Sequence, residues 1–198
     1  TVASREGMRA LVAKCRQHGT IGLFDECYNE LYRQAPPPSV LELIGSDLSQ
    51  VVVTHSLSKR SSAAGIRVGF LTGDEAIIEH VSALMKFTSA TVAAPIMAGA
   101  QTLLEDEAHV VLNRRRYTQS FEIAQAELGA DIPEAGFCLW LPVQHDIEAA
   151  TKLWREEGIR TLPGSTLGWG DGPDCRQDNP GSQYLRLALV IEPDLLPS

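Results

Sequence analysis

The sequence predicts an α/β protein, with a strand-and-helix first part on a mostly parallel sheet and a smaller α+β part after it. Three observations carry this. Val51-Val52-Val53-Thr54 is a continuous β-branched run, the composition of a strand buried on both faces of a parallel sheet. Short apolar runs alternate with stretches of helical periodicity through the first half of the chain. A long helical pattern, Val110 through Leu128, then separates this region from two further strand-like runs.

Taken in order, residues 4–18 read as a helix with Ser4 as its cap. Met8, Leu11, Val12 and Cys15 form one face, and Gly19 ends it. Ile21-Gly22-Leu23-Phe24 is a short buried strand that stops at Asp25, and Pro36-Pro37-Pro38 is a loop. The Val51 strand follows, and Arg67 to Thr72 is the third strand. Asp74 opens a helix with Ile77, Val81 and Leu84 on one side. Pro95 suits the first turn of the next helix, which carries Ile96, Ala100 and Leu103. In the long helix Val110, Tyr117, Phe121, Ala124 and Leu128 share a stripe, most simply core packing, and Gly129 closes it. Phe137 to Leu141 is a strand, residues 146–157 a helix ended by Gly158, residues 163–183 a long loop, and Tyr184 to Val190 the last strand.

The bulk numbers narrow the function classes. With 44% hydrophobic and 21% charged residues in 198, the chain has a globular composition and room for one large core or two small domains. Seventeen basic against 25 acidic residues leave a net charge of −8, which argues against a nucleic-acid or anionic-membrane partner. The one dense basic run, Arg114-Arg115-Arg116, reads as a solvated helix face. No apolar run reaches the ~20 residues that span a bilayer. Cys15, Cys27, Cys138 and Cys175 are scattered, which fits reduced thiols in the cytoplasm, and no His/Cys cluster has zinc-ligand spacing.

The chemistry concentrates around Lys59. It follows the Val51 strand in the run His55-Ser56-Leu57-Ser58-Lys59-Arg60, with Arg67-Val68-Gly69 beyond. Taken alone it is a solvated loop lysine. Hydroxyls, lysine and arginine together suit a phosphate-bearing aldehyde cofactor: Ser56, Ser58 and Arg67 for the phosphate, and Lys59 for an imine, since a deprotonated lysine amine attacks carbonyls readily. Asp25 ends an apolar strand, where it is an N-cap, an ion-pair partner or the carboxylate that keeps a cofactor's pyridine nitrogen protonated. Tyr28 can set its hydroxyl on the ring's phenolic oxygen. Arg186 interrupts an apolar strand, either as an edge residue facing solvent or as the bidentate fork for a substrate carboxylate.

This ordered set, Asp25-x-x-Tyr28, Ser56-x-Ser58-Lys59, Arg67 and Arg186, resembles the class I and II aminotransferases of fold type I, which use pyridoxal 5′-phosphate. The resemblance covers essentially the whole chain. It implies Lys59 as the catalytic residue, Asp25, Tyr28, Ser56, Ser58, Lys59 and Arg67 as cofactor-binding, Arg186 as substrate-binding, and no metal. It also implies amino-acid and 2-oxo-acid substrates, a homodimer with a shared active site, and a cytoplasmic setting. Within the family the nearest likeness is to the N-succinyldiaminopimelate aminotransferases of bacterial lysine biosynthesis. It rests on Ser56 through Ser61, on Asp106-Glu107-Ala108-His109-Val110 with Asn113-Arg114-Arg115, on Ala135-Gly136-Phe137 with Leu139-Trp140, and on Leu162-Pro163-Gly164-Ser165. Aspartate- or aromatic-type aminotransferases, a carbon–sulfur lyase, a decarboxylase and a non-catalytic fragment are the alternatives. Ser62-Ala63-Ala64-Gly65 and Val68 depart from the family, whose members commonly carry Asn and Pro before that glycine and often a serine at Val68. Thr1-Val2-Ala3-Ser4-Arg5-Glu6 resembles the stretch after an Asn-Pro-Thr-Gly motif. The chain is therefore expected to be the C-terminal half of such an enzyme. Residues 1–105 would be the end of the cofactor-binding large domain, with three strands, and residues 106–198 the interdomain helix and small domain.

Overall fold

The structure, a computed structural model, describes residues 2–88, 91–168 and 179–190. It divides into two compact units, residues 1–115 with 134–136, and residues 116–133 with 137–198.

In the first unit, helix α1 (Arg5–Gln17) starts where the Ser4 hydroxyl accepts the Gly7 N–H at 3.0 Å. This satisfies one of the donors that every helix start leaves open. Met8 and Val12 are buried, while Leu11, expected on the same face, is 53% exposed. Strand β1 (Gly22–Asp25) runs parallel to β2 (Val51–Ser56), with Gly22 opposite Val51 and Asp25 opposite Thr54. Between them lies α2 (Val40–Ile44), capped by Ser39. Met8, Val12, Val40, Val51 and Val53 make one core, and each buried valine contributes about 1.5–3 kcal/mol.

After β2 the chain makes one helical turn, α3 (Leu57–Arg60), then a 3₁₀ turn over Ala64–Ile66, and returns as β3 (Gly69–Gly73). β3 is antiparallel to β2, Ser56 facing Gly69, so the first sheet has one parallel and one antiparallel pair in the order β1-β2-β3. The link holds only a single α-helical turn, too short to carry the chain back across the sheet for a parallel crossover. The strand also starts later than expected. Arg67 sits at φ +56°, in the left-handed region, and ends the 3₁₀ turn instead of entering the sheet. At the far end Gly73, φ +143°, passes so close to the Val51 carbonyl that a Cβ would collide with it.

Helices α4 (Glu75–Met85), α5 (Ala94–Glu105) and α6 (Ala108–Leu128) follow. On α4 the expected core stripe is only half-buried at Ile77 and Val81, and Leu84 is 64% exposed. Helix α6 runs from the first unit into the second, where Phe121 and Ala124 pack with Ala130 and Leu139.

The second unit carries β4 (Cys138–Pro142), α7 (Asp146–Glu157), β5 (Leu162–Pro163) and β6 (Tyr184–Ala188) in an antiparallel sheet of order β4-β6-β5. Strand β6 is central, which removes the edge position considered for Arg186. Its partners are Trp140 on one side and Leu162 on the other. Part of the expected long loop is a 3₁₀ turn over Gly164–Leu167, and residues 169–178, Cys175 among them, lie outside the described residues. No described helix is long and apolar enough to cross a membrane.

Candidate active site

The register of the first sheet gathers the predicted residues. Asp25 stands at the carboxyl end of β1 beside Thr54, and Ser56 at the carboxyl end of β2 beside Gly69. Arg67 lies two residues before β3 begins at that same edge. The carboxyl ends of parallel strands are where open α/β sheets bind ligands.

The Asp25 carboxyl is exposed, and its Oδ1 accepts the Cys27 N–H at 3.1 Å. Hydrogen bonding from the Cys27 side chain and backbone holds its pKa below the ordinary 3.8, outweighing the opposite pull of burial. Burial, and then Asp25 itself, push the Cys27 thiol up to about 11, so it stays protonated beside the carboxylate. Asp25 is thus kept anionic, as a partner for a ring cation must be. In the sequence Cys27 is one of four scattered thiols, and nothing in its spacing marks it as a neighbour of Asp25.

Ser56 caps α3. Its Oγ accepts the Ser58 N–H at 3.0 Å and lies 2.8 Å from Ser58 Oγ and 3.2 Å from the Val68 carbonyl oxygen. Lys59 is therefore not in a loop but on a short helix fixed to the end of β2. Its Nζ sits 5.7 Å from the centre of the Tyr28 ring, within cation–π range. Arg67 is exposed and donates from Nη1 to the Ala64 carbonyl at 2.9 Å. His55, which the sequence left unassigned, stacks on Phe70 at 5.3 Å across β2 and β3. Its Nδ1 accepts the Ser56 N–H at 2.9 Å, and burial lowers its pKa, so it is a neutral wall next to the site.

Asp25, Tyr28, Ser56, Ser58, Lys59 and Arg67 all belong to the first unit. Arg186 belongs to the second, on the central strand, where its Nε donates to Cys138 Sγ at 3.4 Å. An anionic carboxylate, two adjoining hydroxyls, a lysine over an aromatic ring and an exposed guanidinium at one sheet edge fit the donor set pyridoxal 5′-phosphate requires.

Comparison with known proteins agrees. The family described as "Aminotransferase class I and II" matches residues 1–189. The chain belongs to this family, whose members are pyridoxal-phosphate enzymes of fold type I. It is 32% identical over 196 residues to the 4-dedimethylamino-4-oxo-anhydrotetracycline transaminase OxyQ of Streptomyces rimosus, covering 96% of this chain and 52% of that protein. To the LL-diaminopimelate aminotransferase of Syntrophobacter fumaroxidans it is 30% identical, over 96% of this chain and 49% of the relative. Among solved structures, the aminotransferase AspB of Helicobacter pylori matches with a TM-score of 0.89 and 34% identity, over 98% of this chain and 51% of its own. A protein of Thermus thermophilus described as a "probable N-succinyldiaminopimelate aminotransferase" matches with a TM-score of 0.78 and 26% identity, over 96% and 51%. The chain thus spans about half the length of the proteins it matches.

Proposed function

We propose that these residues form part of the active site of an aminotransferase that moves an amino group between an amino acid and 2-oxoglutarate. The observation that carries the reading is the convergence of Asp25, Ser56, Ser58, Lys59 and Arg67 at one edge of the first sheet. Ser56, Ser58 and Arg67 would hold the cofactor phosphate, and Asp25 would hold the ring nitrogen. The Tyr28 hydroxyl would hold the ring's phenolic oxygen. When bound, pyridoxal 5′-phosphate supplies an electron sink for the bonds at the substrate α-carbon. Lys59 Nζ would be the amine that holds the cofactor's aldehyde carbon, and it would move the substrate α-proton as general base and acid. The Arg186 guanidinium grips the substrate α-carboxylate, an orientation effect worth on the order of 7 kcal/mol at best.

The substrate we favour is the N-succinyl-LL-2,6-diaminopimelate/glutamate pair of lysine biosynthesis. Support comes from the likeness to diaminopimelate and N-succinyldiaminopimelate aminotransferases. The setting we propose is a cytoplasmic homodimer. The test is spectroscopic and then chemical. Adding pyridoxal 5′-phosphate to the polypeptide should give a visible absorption band that Lys59→Ala abolishes, and a band that survives the substitution sinks the assignment of Lys59. Product release that needs no 2-oxo acid would replace transamination with a lyase or decarboxylase.

A further inference from the structure

Two sequence stretches that carry the family likeness, residues 56–61 and 106–115, meet in the first unit, and only the first has a role so far. Helix α3 is a single turn, too short to hold itself together in water. Its place must come from tertiary anchors, and these gather on the two residues after Lys59.

The Arg60 side chain, 4% exposed, donates to the carbonyls of Leu103 at 2.8 Å and Leu104 at 3.4 Å, the open acceptors at the end of α5. It also pairs with Glu107, and with Glu30 at 3.7 Å. The Arg60 carbonyl accepts the Asn113 side-chain amide at 3.3 Å. Ser61 Oγ lies 2.9 Å from His109 Nε2, and His109 Nδ1 lies 2.8 Å from Asp106 Oδ2. A carboxylate that stays ionised only accepts, so Nδ1 carries a proton and the ring orientation is fixed. Asp106 is held below its ordinary pKa first by His109 and then by the Ala108 N–H, which its other oxygen accepts at 2.8 Å as the start of α6.

We propose that Asp106, His109 and Asn113 are positioning residues for Lys59. They fix Ser61 and the Arg60 backbone, and so set where the lysine one residue earlier reaches. This rests on Lys59 being the cofactor-bearing lysine. The polar chain acts through α3, by way of Ser61 and the Arg60 backbone.

The experiment uses the full polypeptide that carries these residues, incubated with pyridoxal 5′-phosphate and fixed with borohydride. The readout is the rate at which Lys59 becomes labelled, followed by peptide mass spectrometry, alongside the melting temperature. His109→Ala should slow labelling by roughly 10-fold, the scale of a small misplacement of a reacting group. Its melting temperature should stay within about 4 °C of the parent. His109→Gln, which can still bridge an acceptor and a hydroxyl, should recover most of the rate. Parent-like labelling in His109→Ala overturns the proposal, and so does a loss that His109→Gln shares in full. If His109→Ala does not fold, Asn113→Ala removes a single hydrogen bond and carries the same expectation, with parent-like labelling there equally decisive against it. No labelling of Lys59 in the parent protein would instead overturn the assignment of the lysine itself.

Discussion

Lys59 and Arg60 are neighbours on one helical turn, and their surroundings are opposite. Lys59 reaches the Tyr28 ring at a sheet edge where Asp25 and Arg67 are exposed. Arg60 is buried among two carbonyls and two carboxylates. Glu30 in turn pairs with Arg114 at 3.3 Å, which lies over the Tyr32 ring at 4.5 Å, so the first arginine of the basic run is a packed residue and not a solvated one. The contrast shows how a charge is used. Buried charge is stable only when fully partnered, and then it fixes geometry. Charge meant for a ligand has to be left where a ligand can reach it.

The largest effect should come from the closed side. Arg60→Ala removes a buried guanidinium and strands the α5 carbonyls, and should cost about 3 kcal/mol in urea unfolding. A cost under about 1 kcal/mol would mean that α3 is anchored by something other than this network.

On the open side the expected sign reverses. Arg67 holds a left-handed backbone at φ +56° that glycine adopts freely. Arg67→Gly should leave stability unchanged or raise it by up to about 1 kcal/mol. It should also weaken pyridoxal 5′-phosphate binding by roughly 10-fold or more, the worth of a charged hydrogen bond. Strain retained at a residue the fold does not need is what a ligand-binding role predicts. A fall in stability on this substitution, measured by the same unfolding experiment, would class Arg67 with Arg60.

The sequence shows the open side better than the closed one. Asp25 and Arg67 stand out because each ends or interrupts an apolar run, and Ser56 and Lys59 because they come within a few residues of the Val51 strand, and both patterns are visible locally. The closed side depends on contacts between residues 60–61 and 103–113, which no local pattern reports. Strands and long helices were legible through periodicity, as with Val51–Val53 and α6. The short elements were not. Helix α2 hides behind the three prolines, although Ser39 with Glu42 three residues on is a capping-box signature. Arg67 read as the first residue of a strand because its apolar neighbours outweigh a backbone angle that the sequence does not display.

The smallest effect is expected at Asp25, and it tests whether the open side is free of structural duty. Its folded pKa lies below the unfolded 3.8, so the fold favours the ionised form. That contribution to stability is fully present above the unfolded value and is lost as pH falls through the lower folded one. Because the carboxyl is exposed, solvent screening keeps the contribution to about 0.5 kcal/mol or less. Asp25→Asn should therefore unfold almost as the parent does at neutral pH, and the remaining difference should vanish on acidification below the folded pKa. The same substitution should weaken cofactor binding at neutral pH, because the amide cannot balance a ring cation. If Asp25→Asn instead costs 2 kcal/mol or so at pH 7, Asp25 carries structural load as Arg60 does, and the two sides of α3 differ less than their exposure suggests.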